Sequence, residues 1–288
     1  MISVKAYAKC NLNLHILPDL QFKKTTGYYP VQFINCELDI HDILTFINQK
    51  NIISFTCSDK ALSNTENLVY KAASLLKEMI GNPDLGVKIA LKKNIPVKAG
   101  LGGGSSDAAA AINALIKLWK VTLSKKQISQ IVNSLGSDVY YFLEGGLCEV
   151  YGKGEIVKKI PNELMKYWIV LITPSISKPS TSWMYTKINT TTVGRSTYKF
   201  EQIKQKLLSK PTDSLVHLFH NDFEDIIKMK YPELEDIKRD LSSNGSVKEL
   251  IAGSGLSIFG FFSSKDTALA AFKNLEIKYQ NILWTYTR

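Results

Sequence analysis

The chain has 288 residues, more than one compact core of roughly 100 to 150 residues uses and enough for two. Hydrophobic residues make up 45% and charged residues 22%, which excludes a disordered, fibrous or membrane-embedded chain. The net charge of +10 suits a phosphate-bearing ligand, but the basic residues are dispersed rather than gathered into a stripe, so no nucleic-acid partner is expected.

In chain order, the opening reads as strands: Val4 to Lys9, Asn11 to Ile16, Val31 to Leu38, Ile43 to Ile47 and Ile52 to Cys57. In the second of these, Leu12, Leu14 and Ile16 alternate with polar neighbours. Leu68, Ala72, Leu75, Leu76 and Met79 fall at helical spacing behind a cap at Asn64 or Thr65, and Val87, Ile89 and Leu91 alternate as a strand that feeds Pro96. A glycine run follows, then an alanine-rich helix to Trp119 that should start near Ser105 or Ser106 with a serine cap. Another helix, capped by Ser124 and lined by Ile128, Ile131, Val132 and Leu135, ends at Gly136 and delivers Ser137 and Asp138. A glycine-bearing turn, Tyr151 to Glu155, closes this half.

Beyond about residue 160 the pattern restarts with a strand, Tyr167 to Thr173, and a polar connection rich in Ser and Thr. Several helices, a strand Val247 to Ile251, a helix Asp266 to Leu275 and a last strand Ile277 to Tyr286 complete it. The expectation is an α+β protein of two domains, residues 1–158 and 159–288, the second a helix-flanked antiparallel sheet, sharing one cleft. The apolar run Ile169 to Thr173 is far shorter than the roughly 20 residues a spanning helix needs, and MISVKAYAK lacks an apolar signal core. A cytoplasmic protein with no membrane partner is expected. Cys10, Cys36, Cys57 and Cys148 form no CxxC pair and read as reduced structural thiols. His15 and His41 lie in strand-like segments, and His217 and His220, three residues apart, supply only two ligands, so no metal-binding residues are assigned.

The chemistry concentrates in Gly100-Leu101-Gly102-Gly103-Gly104-Ser105-Ser106-Asp107. Four glycines in five residues let the main chain wrap a phosphate group with its N–H donors, at the positive end of the helix that follows, and the two serines add hydroxyls. A mere turn rarely carries so many glycines, each of which costs roughly 0.5 to 1 kcal/mol of ordering entropy. Neither GxxxxGK[ST] nor a strict GxGxxG fits.

The longer run Pro96-Val97-Lys98-Ala99-Gly100 through Asp107 and its alanines resembles the nucleotide loop of the GHMP kinases. Further motifs are similar to the members of that superfamily that act on a cytidine-diphosphate-linked methylerythritol: Ala8-Lys-Cys-Asn-Leu-Asn-Leu, Asn67-Leu-Val-Tyr-Lys-Ala-Ala, Gly136-Ser-Asp-Val, Gly152-Lys-Gly-Glu, Ser180-Thr-Ser-Trp-Met-Tyr, Asn221-Asp-Phe-Glu and Gly253-Ser-Gly. Together they cover nearly the full length. The resemblance implies a ribosomal-protein-S5-like amino-terminal domain, ATP with Mg2+ as cofactors, transfer of the γ-phosphoryl group to a hydroxyl of that small molecule, and a monomer or weak homodimer.

It also implies roles. Lys9 and Asp138 match the catalytic pair, the lysine offsetting charge and the aspartate taking or orienting the hydroxyl proton. Asn67, Leu68 and Lys93 fall on the adenine side, and Asn67 and Lys93 also read as a helix-start amide and a surface charge. Asn11 and the second glycine turn, Gly253, Ser254 and Gly255, face the substrate and its phosphates. Tyr28 and Tyr185 occupy the positions that sandwich the cytosine, and Tyr29 stands where a histidine usually addresses the base edge. The chain departs from the pattern in Thr26-Gly-Tyr-Tyr, where Asp-Gly-Tyr-His is usual, and in Tyr140 and Leu256, where prolines are usual. Two alternatives stay open on the sequence: a kinase of the same superfamily with another acceptor, to which Tyr29 is the clue, and a non-catalytic nucleotide- or RNA-binding protein, against which Lys9 and Asp138 argue.

Overall fold

The computed structural model describes residues 1–161, 164–176, 180–209 and 214–288. Part of the polar connection expected after the strand at 167–173 lies outside them. The first elements in chain order are β1 (Ile2–Ile16), α1 (Leu20–Thr26), β2 (Val31–Lys50), β3 (Ile53–Cys57), α2 (Leu68–Ile80), β4 (Leu85–Lys92) and α3 (Gly103–Trp119). Next come α4 (Lys125–Leu135), α5 (Asp138–Glu144), β5 (Cys148–Gly152), β6 (Ile156–Lys159), β7 (Trp168–Ile172), α6 (Thr181–Thr186) and α7 (Thr197–Leu208). The last are β8 (His220–Asn221), α8 (Glu224–Lys230), α9 (Leu234–Ser243), β9 (Lys248–Ile251), β10 (Ile258–Phe262), α10 (Lys265–Leu275) and β11 (Ile282–Tyr286).

The chain forms two compact units interleaved in sequence. One holds residues 1–8, 40–97 and 102–145, the other residues 9–39, 98–101 and 146–288. In the first unit, the second half of β2 pairs antiparallel with β4, and β3 runs parallel to β4. Val87, Ile89 and Leu91 of β4 point inward and Lys88, Ala90 and Lys92 outward, the period of two that a half-buried strand requires. Against them packs a core from α2, α3, α4 and α5, in which Ala108, Ala109, Ala111 and Ala114 let α3 approach closely. Ser124 caps α4 as expected, with Gln127 completing a reciprocal capping box.

In the second unit, β5 pairs antiparallel with Val31 to Asn35 of β2, β6 pairs with β5, and β8 lies parallel to β1 with Asn13 opposite His220. A separate antiparallel sheet runs in the order β11-β7-β10-β9, flanked by α9 and α10, which is the expected carboxy-terminal layer. Gly260 lies under α9, where a Cβ would come within 2.8 Å of Leu241.

Several expectations change. The first two expected strands are one, β1, and the third and fourth are one, β2. Asn11, Asn13 and His15, read as the polar side of a strand, are buried at 4%, 0% and 0% exposure, so β1 is covered on both faces over this stretch. β10, with every residue buried, carries no alternation by which to recognise it. The helix expected to start near Ser105 starts at Gly103 instead, with Gly102 in the left-handed region as its cap and no side-chain cap bond. Asn67, not Asn64 or Thr65, caps α2, its side chain accepting from the Val69 N–H. His217 and His220, which their three-residue spacing allows on one helix or its end, lie instead in a 3-10 turn and in β8. Among the described residues no helix is long and apolar enough to cross a membrane.

Candidate active site

The glycine loop is the joint between β4 and α3. Along it, Lys98, Gly100 and Gly102 all have positive φ, at 60°, 82° and 71°. Left-handed residues alternating with ordinary ones turn successive N–H groups toward one side, the geometry of an anion-binding nest. The nest runs into the first turn of α3, whose N–H groups have no side-chain cap. Lys98 holds this conformation despite its Cβ, a local strain of the kind met at binding loops. The residues present therefore fit a triphosphate. Pro96 and Val97 lead in, Val97 being exposed, and Ser105 on the first turn is half-buried. Ser106 is buried and donates its hydroxyl hydrogen to the Tyr7 carbonyl at 2.7 Å, so it anchors the helix to β1.

In the second unit the loop meets two distant motifs. The Lys9 N–H donates to the Leu101 carbonyl at 3.0 Å. A Cβ on Gly100 would lie 2.4 Å from the Ala252 carbonyl oxygen, and one on Gly255 would lie 3.2 Å from the Ala99 oxygen and from the Gly100 Cα. At Gly100, where the approach is shortest and φ is positive, glycine is what permits the backbones to lie this close. Gly253 lies beside Asn11, whose Oδ1 would be 3.2 Å from its Cβ. Asn11 Oδ1 accepts from the Lys9 ammonium at 3.1 Å, and Asn11 Nδ2 donates to Asn35 Oδ1 at 2.6 Å. Lys9, at 6% exposure, also lies 5.8 Å over the Phe33 ring. The structure thus brings Lys9, Asn11, Ala99 to Leu101 and the turn Gly253, Ser254 and Gly255 into one neighbourhood.

The motif Asn221-Asp-Phe-Glu has no task legible in the sequence, and in the fold each of its side chains has one. Asn221 Nδ2 donates to the carbonyls of Ile251 and Gly253, at 3.0 and 2.7 Å, and so holds the second glycine turn. Asp222 accepts the N–H groups of Ile16 and Gly194. Phe223 lies edge to face with Tyr185, and Glu224 accepts the Ile251 N–H.

Tyr28 and Tyr185 also come together, edge to face at 5.3 Å between ring centroids, with Tyr28 at 42% exposure. They touch each other, so a flat base enters between them only if they part. Tyr29 is placed differently from its neighbour: it is buried at 3%, its hydroxyl hydrogen-bonded to Lys23 and its ring beneath the Lys23 ammonium.

In the first unit, Asp138 opens α5, half-buried, directly after Gly136 and Ser137. Leu68 opens α2 and packs against the loop, 3.6 Å from where a Gly104 Cβ would stand. Asn67 spends its side chain on capping. Lys93 is neither a surface charge nor open to solvent: its ammonium bridges Asp42 and Asp107. Asp42 also accepts the N–H groups of Asn94 and Ile95, so one carboxylate and one ammonium fasten the entry of the loop to the second turn of its exit helix. Asp42 was not expected as a site residue because it is distant in sequence and carries no motif.

Burial pushes the Asp107 carboxyl up to about 7, against the pull of Lys93. Burial opposes the charge on Lys93 too, but the two carboxylates outweigh it and raise its pKa. Because the folded pKa of Asp107 lies above its ordinary 3.8, the stability it contributes is complete below about pH 4 and is lost as pH rises through about 7. Asp107→Asn is expected to flatten that part of a stability-against-pH curve measured by urea unfolding between pH 4 and 8.

Residues 67–146 match the family GHMP kinases N terminal domain, and residues 203–281 match GHMP kinases C terminal. The chain belongs to the GHMP kinase family. Among GHMP kinase relatives, a 4-diphosphocytidyl-2-C-methyl-D-erythritol kinase of Thermodesulfovibrio yellowstonii is 36% identical over 96% of this chain and 95% of its own length. One of the same name from Alkaliphilus metalliredigens is 30% identical over 100% and 97%. A crystal structure of 4-(cytidine 5'-diphospho)-2C-methyl-D-erythritol kinase superposes with a TM-score of 0.82 at 28% identity, covering 99% of both chains. The two-domain GHMP kinase architecture expected from the motifs is the one found.

Proposed function

We propose that this GHMP kinase transfers the γ-phosphoryl group of ATP to the tertiary 2-hydroxyl of 4-diphosphocytidyl-2-C-methyl-D-erythritol, a step in making isoprenoid precursors. The observation that carries the reading is the convergence of Lys9 and Asn11 with the glycine loop and the Gly253 turn, in a chain similar over its full length to kinases of that name. The family matches lie on either side of residue 158, in keeping with domains of 1–158 and 159–288.

In this reading the nest at Lys98 to Gly104 binds the phosphates and Leu68 and Asn67 border the nucleotide. Lys93 acts through the loop rather than on the adenine. Lys9 offsets the charge that gathers between acceptor hydroxyl and phosphate, and Asp138 takes or orients the hydroxyl proton. Mg2+ would find a hydroxyl oxygen at Ser105, and when bound it neutralises charge on the triphosphate.

The test is ADP release with the cytidylated substrate, against mevalonate and homoserine as controls. Release with either control and not with the cytidylated alcohol defeats the reading. For the base, Tyr185→Ala is expected to raise the substrate KM by about 5- to 150-fold, the equivalent of one lost stacking contact of about 1 to 3 kcal/mol. Tyr29→Phe, whose hydroxyl is engaged with Lys23, is expected to leave that KM nearly unchanged.

A further inference from the structure

The parallel pairing of β8 with β1 sets Asn13 opposite His220, and the Asp222 N–H continues the ladder by donating to the Leu14 carbonyl at 3.0 Å. Because side chains two apart share a face, His220 and Asp222 come to lie beside His15. The imidazoles of His15 and His220 are 5.0 Å apart at their centroids, and His220 Nε2 is 2.7 Å from Asp222 Oδ1. One ligand atom from each of the three residues lies within 4.8 Å of the other two.

Independent of this grouping, His15 is fully buried, and neither of its ring nitrogens has a hydrogen-bond partner among the described residues. An imidazole carries a donor and an acceptor even when neutral, and burying both unpaired leaves each without the hydrogen bond it makes in water. Such an orphan beside a second imidazole and a carboxylate points to a ligand.

We propose that His15, His220 and Asp222 form a binding site for a divalent transition-metal ion of the zinc type, distinct from the phosphate loop. Two imidazoles and one carboxylate are a zinc ligand set, with water completing four-coordination. Imidazole is a poor ligand for Mg2+, which separates this site from the cation that accompanies ATP. Ligand atoms at about 2.0 to 2.1 Å from a tetrahedral ion stand about 3.3 Å apart, so the His220 and Asp222 atoms separate slightly and His15 closes the remainder by turning its ring. The ion takes the place of the hydrogen bond between His220 Nε2 and Asp222 Oδ1, and any proton on Nε2 leaves to solvent as the metal binds.

The carboxylate is already oriented for this, because its other oxygen, Oδ2, accepts the N–H groups of Ile16 and Gly194 at 2.7 and 3.0 Å. Supporting bonds of that kind set the affinity of metal sites. Bound there, the ion clamps β8 onto β1. The next side chain along, Asn221, holds the Gly253 turn, so the clamp steadies that turn as well.

The test uses the full chain, freed of metal by chelation and titrated with Co2+ and with Zn2+ in the absence of nucleotide. One Co2+ per chain with the visible bands of a four-coordinate nitrogen and oxygen site is expected, together with a rise in unfolding temperature on adding one equivalent of Zn2+. His220→Gln and His15→Gln should each weaken binding at least tenfold, while His217→Gln leaves it unchanged. His220 is 26% exposed, so its variant is expected to fold even where a His15 variant does not, and circular dichroism of each variant checks this. Absence of stoichiometric binding, or binding retained in His220→Gln, overturns the proposal and leaves water as the partner of His15.

Discussion

Asp138→Asn enzyme is expected to turn over about 10²- to 10⁴-fold more slowly than the unaltered protein, with ATP affinity nearly unchanged, and Lys9→Met likewise. Phosphoryl transfer asks little covalent chemistry of the protein, and most of the gain comes from position and charge. Asparagine keeps the shape of Asp138 at the start of α5 and loses only the ability to accept a proton. Methionine keeps most of the volume of the Lys9 side chain, which is buried against Phe33, and loses the ammonium that Asn11 orients. Single-turnover kinetics with saturating ATP, beside nucleotide titration of each variant, separate the loss of chemistry from a loss of binding. Unchanged single-turnover rates in Asp138→Asn would remove that residue from the reaction.

Gly100→Ala is expected to destabilise the fold by about 2 to 5 kcal/mol, the sum of left-handed strain of about 1 to 2 kcal/mol and overpacking of about 1 to 3 kcal/mol. The new Cβ would stand 2.4 Å from the Ala252 carbonyl oxygen, and that oxygen has nowhere to go. It accepts the Gly255 N–H at 2.8 Å, while the Ala252 N–H donates to the Ser257 carbonyl at 2.9 Å. Relief of the clash must therefore disturb the second glycine turn as well as the first. Gly104→Ala supplies the contrast. Gly104 is helical and exposed, with nothing nearer than 3.6 Å to an added Cβ, so alanine should leave stability equal or raise it by up to about 1 kcal/mol. Its methyl group would still intrude on the nest, so ATP binding weakens although the fold does not. Urea unfolding and nucleotide titration of the two variants distinguish a glycine needed for packing from one needed for the ligand.

The contrast between these two glycines marks how far local pattern reaches. The run from Gly100 to Ser106 is legible because it combines four glycines with a strand before it and an alanine-rich helix after it, an order set by neighbours in the chain. Nothing local says that Gly100 lies against Ala252, roughly half the chain away, and so the run reads uniformly as a phosphate cradle. Lys93 shows the same limit. As one of many lysines it reads as a surface charge or an adenine contact. Its partners, Asp42 and Asp107, reach it through the pairing of β2 with β4 and through the packing of α3. Tyr28 and Tyr29 are adjacent, yet one ring is exposed beside Tyr185 and the other is buried under Lys23.

The strand-loop-helix order of the phosphate site, the capping of α4, the antiparallel layer near the carboxy terminus and the family to which the motifs belong are all legible along the chain. Each of these depends on residues within a turn or two of one another, or on spacing that survives in a single chain. The tertiary structure alone decided that Asn11, Asn13 and His15 are inside. A period of two tells which side chains share a face of a strand, and it says nothing about whether the second face meets water or another element. On β1 that face meets protein, so Asn11 is placed to hold the Lys9 ammonium and His15 to join His220 and Asp222.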